Sequence, residues 1–115
     1  MSHSHRYCFS CDLKDDPDLI KQYKFYHAAE NHWPEIARSI KNSGVLDMEI
    51  YLIGNRMFMI MEVDETFSFE RKASMDASNP KVQEWEDLMS FFQEKLPWAA
   101  EGEKWTQTEL IFKLF

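Results

Sequence analysis

At 115 residues the chain is long enough for one domain, residues 1–115, with a single real core, since a domain of this size buries roughly two-thirds of its unfolded surface. Its net charge of −7 sets 13 basic residues singly among 20 acids, which argues against a phosphate-backbone partner, because nucleic acid needs clustered Lys and Arg. No apolar run approaches the roughly 20 residues of a membrane span, MSHSHRYC lacks the apolar centre of a signal peptide, and two cysteines make no disulfide framework. The expectation is a cytoplasmic protein that binds neither nucleic acid nor membrane.

Residues 6–13 (RYCFSCDL) alternate Tyr7, Phe9, Cys11 and Leu13 against Arg6, Cys8, Ser10 and Asp12, the period of a strand. Asp16-Pro17 supplies an N-cap followed by proline at the first helical position. Leu19, Ile20, Tyr23, Tyr26 and His27 then recur at helical spacing until Pro34 forces a bend or restart near Trp33, after which Ile36, Ala37 and Ile40 continue to a stop at Gly44. Residues 45–53 and 57–63 read as two strands joined by Gly54-Asn55-Arg56, a hairpin signal. The second is apolar on both faces until Glu62, as a covered central strand is. A short helix is expected near 67–77. Asn79-Pro80 opens another, with Val82, Trp85, Leu88, Met89 and Phe92 in a stripe that ends before Pro97. Residues 104–115 (KWTQTELIFKLF) read as a final strand after Gly102.

The order β-α-β-β-α-β is the ferredoxin-like α+β arrangement, an antiparallel sheet with its helices on one face. Phe9, Met48, Ile50, Met57, Met59 and Met61 are too apolar to face water on an open sheet. The expectation is therefore a homodimer that packs sheet against sheet through the open face.

The richest chemistry lies in Gln22–Glu35, QYKFYHAAENHWPE, which places two tyrosines, two histidines, a tryptophan and two carboxylates on a helix and its exit. Tyr23 and His27 stand four apart and share a helix face. A histidine moves protons near neutral pH, and a ring nitrogen held by one neighbour leaves the other free to do so. Aromatic faces stack on the C–H surface of a small polar ligand. A buried aromatic face with a satisfied histidine explains the same residues. Cys8 and Cys11 spell C-x-x-C after His3 and His5, but i, i+3 in a strand sends the two thiols to opposite faces, so no metal site is expected. Phosphate loops and nucleotide or hydrolase fingerprints are absent from the sequence. The chemistry expected is cofactor-free proton transfer on a sugar or a related polar molecule.

Over nearly its whole length the chain resembles the L-rhamnose mutarotase family, which also contains L-fucose mutarotases. The resemblance rests on Tyr23, His27 and Trp33-Pro34-Glu35, on Ile50-Tyr51-Leu52, on the strand ending in Glu62 and on the Trp85 helix. The segments 67–73 (FSFERKA), 79–89 (NPKVQEWEDLM) and 102–105 (GEKW) look more like the fucose branch. The resemblance implies a dimeric α+β barrel-type assembly and a cofactor-independent isomerase that interconverts the α and β anomers of a 6-deoxy-L-hexose by opening and reclosing the ring. It implies His27 as the proton-transferring group, Tyr23 as its catalytic companion and Trp85 as an aromatic wall for the monosaccharide. Trp33, Glu86, Met48 and His32 complete the expected sugar site, with Glu62 a further candidate for a sugar hydroxyl.

Three features depart from the family pattern. Five residues, Ala28 to His32, separate the histidine from Trp-Pro-Glu where three are usual. On a continuous helix two extra residues turn the downstream segment by roughly 200°. Either a loop absorbs them or His32 replaces His27 in the pocket. The rhamnose-type site also has a tyrosine at the position of Met48 and paired tryptophans at Trp85-Glu86. A non-catalytic ligand-binding dimer and a cofactor-free oxygenase are the rival functions, because fold alone does not choose among them.

Overall fold

The computed structural model describes residues 4–115. In chain order it holds β1 (His5–Leu13), α1 (Pro17–His27), α2 (Pro34–Asn42), β2 (Val45–Ile53), β3 (Arg56–Val63), α3 (Phe69–Ala77), α4 (Pro80–Phe92), β4 (Gln93–Glu94) and β5 (Thr106–Gln107). All strand pairs are antiparallel and the sheet runs β2-β3-β1-β4, with β5 also on β1. This is the ferredoxin-like α+β architecture the alternating pattern predicts. The expected first helical unit is two helices, since Pro34 cannot continue α1 and instead starts α2 at its first position.

Three of the four helices begin where a polar side chain meets free backbone N–H groups, while α2 starts at Trp33-Pro34 with no side-chain cap. The Asp16 carboxylate accepts from the N–H of Asp18 and Leu19, Ser68 Oγ from Arg71, and the Asn79 side chain from Lys81 and Val82. The two-residue β2–β3 turn, Gly54-Asn55, is tied to the end of β1 by Leu13 N–H donating to the Asn55 carbonyl at 2.7 Å and Asn55 Nδ2 donating to the Leu13 carbonyl at 2.9 Å.

Residues directly opposite in a ladder share a face. Tyr7, Phe9 and Cys11 oppose Met61, Met59 and Met57, which in turn oppose Met48, Ile50 and Leu52. These side chains face the helices and form two separate cores. Cys11, Leu13 and Met57 pack with Tyr23, Met89 and Phe92 under α1 and α4, while Val45, Met61 and Val63 pack with Ile40, Met48 and Phe67 under α2 and the approach to α3. The apolar open face expected from these residues is thus absent. The uncovered face carries Arg6, Asp12, Asp47, Glu49, Arg56 and Glu62 among fewer apolar groups, with Arg56 forking onto the Asp12 carboxylate at 2.8 and 3.1 Å. The error was one of side: strand alternation separates two faces without saying which one the helices cover.

The expected final strand 104–115 is reduced to Thr106–Gln107. Thr108 still donates its N–H to the Cys8 carbonyl at 2.8 Å, and beyond it the chain has no regular secondary structure. β4, which was not expected, closes the end of β1 through Asp12 and Leu13.

The turn from α2 into β2 depends on Gly44 at φ +101°, where L side chains are strained. A Cβ there would fall 2.8 Å from both Asp64 Oδ1 and Thr66 Oγ1. Those two groups hydrogen-bond each other, and Arg71 donates to the carbonyls of Asn42, Ser43 and Thr66 around the same turn. Gly44→Ala is expected to lower stability by about 1–3 kcal/mol, seen as a reduced midpoint in urea unfolding.

Candidate functional site

The last turn of α1 places Tyr23 and His27 on one face, their rings stacked with centroids 4.3 Å apart. At Ala28 the backbone leaves the helix at ψ 148°. The Asn31 and His32 N–H groups then bond back to the Ala28 carbonyl at 2.9 and 3.0 Å. This loop absorbs the two extra residues before Trp33, so His27 keeps its place beside Tyr23. Trp85, on α4, completes the cluster with its indole 5.4 Å from the His27 ring, 5.0 Å from Trp33 and 6.4 Å from Tyr26. Lys81 Nζ lies 4.9 Å from the centre of the Trp33 ring. The arrangement is an aromatic ledge at the junction of α1, α2 and α4.

His27 Nδ1 lies 2.8 Å from the Tyr23 carbonyl oxygen. A carbonyl can only accept, so Nδ1 carries the hydrogen and Nε2 presents a lone pair. The residue keeps an open edge to solvent, while desolvation by the surrounding rings pushes its pKa below the usual 6.5. His32 adds to that shift and the hydrogen bond to Tyr23 opposes it. The imidazole is therefore neutral at pH 7, the state a general base requires. Glu30, its neighbour in sequence, makes no hydrogen bond to it; the orienting partner is backbone.

Tyr23 is 5% exposed and belongs to the first core. Burial raises its pKa to about 12, against the opposing hydrogen bond donated by Gln93 Nε2 at 3.2 Å. The phenol thus stays protonated through the working range and cannot be a base. Burial, reinforced by neighbouring Asp12, likewise lifts the Cys11 thiol to about 11, and a thiol so placed is inert. Both groups have folded-state pKa values above their unfolded ones. Unfolded cysteine ionises from about pH 9 and unfolded tyrosine from about pH 10, while the folded groups resist. Stability is therefore full below pH 9 and falls as pH rises toward 11 and 12. Denaturant midpoints should hold up to about pH 9 and decline above it, and Tyr23→Phe should remove the part above pH 10.

The other expected site residues are dispersed. His32 is exposed on the loop after α1, and Glu86, half-buried one residue past Trp85, is within 3.4 Å of Gln83 Nε2. Met48 packs in the second core and not with His27 or Trp85. Glu62 lies on the uncovered sheet face, where it lines a recess of about 180 Å³ with Arg6, Asp47, Glu49 and Ile60. A larger recess of about 350 Å³ between α2, α3 and α4 is lined by Ser39, Asn42, Met75, Ser78, Asn79 and Pro80; neither contains the ledge. Cys8 and Cys11 are free thiols, and His3 lies outside the described residues. Tyr26 and Gln93 were missed as neighbours of the site. Tyr26 was legible from its place one residue before His27, whereas Gln93 reaches Tyr23 across 70 positions and left no local signal.

No helix among the described residues is long and apolar enough to cross a membrane. The chain is 42% identical over 109 residues, 95% of its length and 87% of the relative's, to an L-fucose mutarotase of Xanthomonas campestris pv. campestris. It is 33% identical over 115 residues to a UPF0734 protein of Dictyostelium discoideum, covering 94% and 88% of the two chains. The fold matches the crystal structure of an L-rhamnose mutarotase from Formosa agariphila with TM-score 0.69 at 23% identity, over 96% of this chain and 99% of that one. It also matches tetracenomycin F2 cyclase from Streptomyces glaucescens, a polyketide cyclase, with TM-score 0.66 at 14% identity, over 96% and 97%. Since a sugar-anomer isomerase and a cyclase share the architecture, fold does not decide between them; sequence does. The L-rhamnose mutarotase family model matches residues 6–114, essentially the whole chain, and the protein belongs to that family of sugar-anomer isomerases.

Proposed function

We propose that the protein is a cofactor-independent mutarotase of a 6-deoxy-L-hexose, with L-fucose favoured over L-rhamnose. The observation that carries the reading is the state of His27: Nδ1 engaged by the Tyr23 carbonyl at 2.8 Å, Nε2 free, and a pKa held below the usual value beside the Trp85 indole. Nε2 takes the proton of the anomeric hydroxyl as the bond from C1 to the ring oxygen breaks, a solvent water gives the ring oxygen its proton, and both transfers run in reverse on closure. Rotation about C1–C2 and reclosure on the other face of the carbonyl give the other anomer. Proton positions are restored at the end, so the enzyme is unchanged.

Tyr23 supports this cycle by position. Its carbonyl fixes the tautomer and its buried ring backs the imidazole. Trp85 and Trp33 offer apolar faces to the C–H surface of the sugar, which suits a 6-deoxy sugar whose methyl group adds apolar area. His32 and Glu86 stand at the rim, within the same segments, as hydroxyl partners. The preference for L-fucose is supported by the 42%-identical relative named for that sugar, together with Glu86 beside Trp85, where the rhamnose-type pattern has a second tryptophan. The protein is read as cytoplasmic and as a homodimer.

Magnetisation-transfer NMR on equilibrated L-fucose and L-rhamnose tests the proposal. Anomer exchange faster than the buffer rate for at least one sugar is expected, fastest for L-fucose. No acceleration of either would overturn it.

A further inference from the structure

The recess of about 350 Å³ between α2, α3 and α4 plays no part in the chemistry at His27. The last turn of α2 lines it with Ser39 and Asn42, the end of α3 with Met75 and Ser78, and the start of α4 with Asn79 and Pro80. Its volume stands at the lower end of the range for small-molecule sites, about 300–1,000 Å³, which is the scale of one sugar ring.

Two polar groups of the lining have no partner. Ser39 is 8% exposed, yet its hydroxyl makes no hydrogen bond among the described residues, although a helical serine commonly returns its O–H to the carbonyl one turn back. Ser90 does so to Glu86 at 2.7 Å, and Ser78 to Ser74 at 3.0 Å. The Asn42 side chain is also unpaired among the described residues; its backbone carbonyl alone is engaged, by Arg71. A hydroxyl as deeply set as that of Ser39 is costly to leave without a partner, and the recess it lines is where one can reach it. Asn79 adds a third group. Its side-chain oxygen accepts from the N–H of Lys81 and Val82, which leaves its NH2 free to donate.

Charge and shape narrow the occupant. Among the described residues the lining holds neither a charged side chain nor an aromatic ring. The two cations of α3 are committed elsewhere, Arg71 to the carbonyls of Asn42, Ser43 and Thr66, and Lys72 to Asp76 at 2.6 Å. Lys81, next to Pro80, reaches Glu84 at 3.3 Å and the face of Trp33. A phosphate or carboxylate in the recess would lose water without gaining a counter-charge, and a planar base would find nothing to stack on. The lining fits a neutral molecule that turns hydroxyl groups to Ser39, Asn42 and Asn79 and C–H surface to Met75 and Pro80.

We propose that the α2–α3–α4 recess is a second binding site, separate from the ledge, for a neutral polyol of monosaccharide size. Each site draws on both α2 and α4: Trp33 and Trp85 serve the ledge, Ser39 and Pro80 the recess, with about 8 Å of helix between them. The proposal does not depend on the reaction assigned to His27.

The test is amide NMR on the isotope-labelled full chain. The probes are methyl α-L-fucopyranoside, whose locked anomeric centre cannot mutarotate, and myo-inositol, with inorganic phosphate as the charged control. The side-chain NH2 signals of Asn42 and Asn79 and the backbone N–H of Ser39 are expected to move along one saturable curve with at least one polyol and to ignore phosphate. Asn42→Ala and Ser39→Ala, both small truncations, should each weaken that curve by about 5-fold, as the loss of a hydrogen bond does. Trp85→Ala should leave it in place. Recess signals unmoved by either polyol, a response to phosphate, a curve indifferent to Asn42→Ala and Ser39→Ala, or one that disappears with Trp85 would each overturn the second site. A recess that titrates while the Trp85 indole N–H stays silent would uphold it and count against the sugar reading of the ledge.

Discussion

His27→Ala is expected to slow enzyme-accelerated anomer exchange by about 10²–10⁴-fold, the range of a lost general base, while costing no more than about 1 kcal/mol of stability, as a substitution at an open surface position does. The rate should also report the histidine directly. Because desolvation lowers its pKa, the base form prevails at neutrality. The wild-type rate should therefore rise through a midpoint below pH 6.5 and level off before pH 7. Folding has the same sign: below pH 6.5 the unfolded histidine takes a proton that the folded one resists, so that contribution to stability is present above pH 6.5 and is lost as pH falls. His32→Ala, at an exposed ring in the loop, should keep a His27-dependent rate within about 10-fold of wild type and move the midpoint upward toward 6.5, because His32 adds to the downward shift of His27. Exchange that survives the loss of His27, or a profile whose midpoint lies above 6.5, would assign the proton transfer elsewhere.

Phe92→Ala should be among the most damaging single changes to the fold, by about 3–5 kcal/mol, because a fully buried ring is replaced by a cavity. Phe92 is 2% exposed, with Tyr23 and Tyr26 ring centroids at 6.0 and 5.9 Å, and its carbonyl accepts from Lys14 at 2.9 Å where β1 ends. For a chain of this length that cost corresponds to a drop in melting temperature of roughly 12–20 °C, measurable by calorimetry. The cavity would open beneath Tyr23, whose carbonyl holds His27, so activity per folded molecule should fall as well. Phe92→Leu, which keeps most of the volume, should cost about 1 kcal/mol and retain most of the activity. Equal losses from the two variants would mean that the site does not depend on this packing.

Much of this was written in local pattern. Asp16-Pro17, Asn79-Pro80, Pro34 and Gly54-Asn55 fix element ends by chemistry that operates within a few residues, and the structure places each boundary there. The pairing of Tyr23 with His27 was legible for the same reason, since i and i+4 meet on any helix. What failed depended on distance. Alternation along β1, β2 and β3 separated two faces correctly but could not say which the helices would cover, and Met57 and Met61 proved to be core. The apolar residues near the end of the chain looked like a strand, but a strand needs a neighbour, and this chain offers one only to Thr108. Met48 and Glu62 were joined to His27 by family pattern; in the structure they lie in the second core and on the uncovered sheet face.

The two cores lean on the same strands: β3 gives Met57 to one and Met61 to the other, and β1 gives Cys11 and Leu13 to the first and Tyr7 and Phe9 to the second. In the ledge around His27, Tyr23, Tyr26 and Trp85 pack with the first. A substitution that reshapes the ledge for a different sugar therefore draws on one half of the molecule, while Val45, Met61 and Val63 continue to hold the other. Such a division gives the chain room to change its substrate without risking its architecture. It also marks β1 and β3, which feed side chains to both halves, as strands where drift is felt on both sides at once.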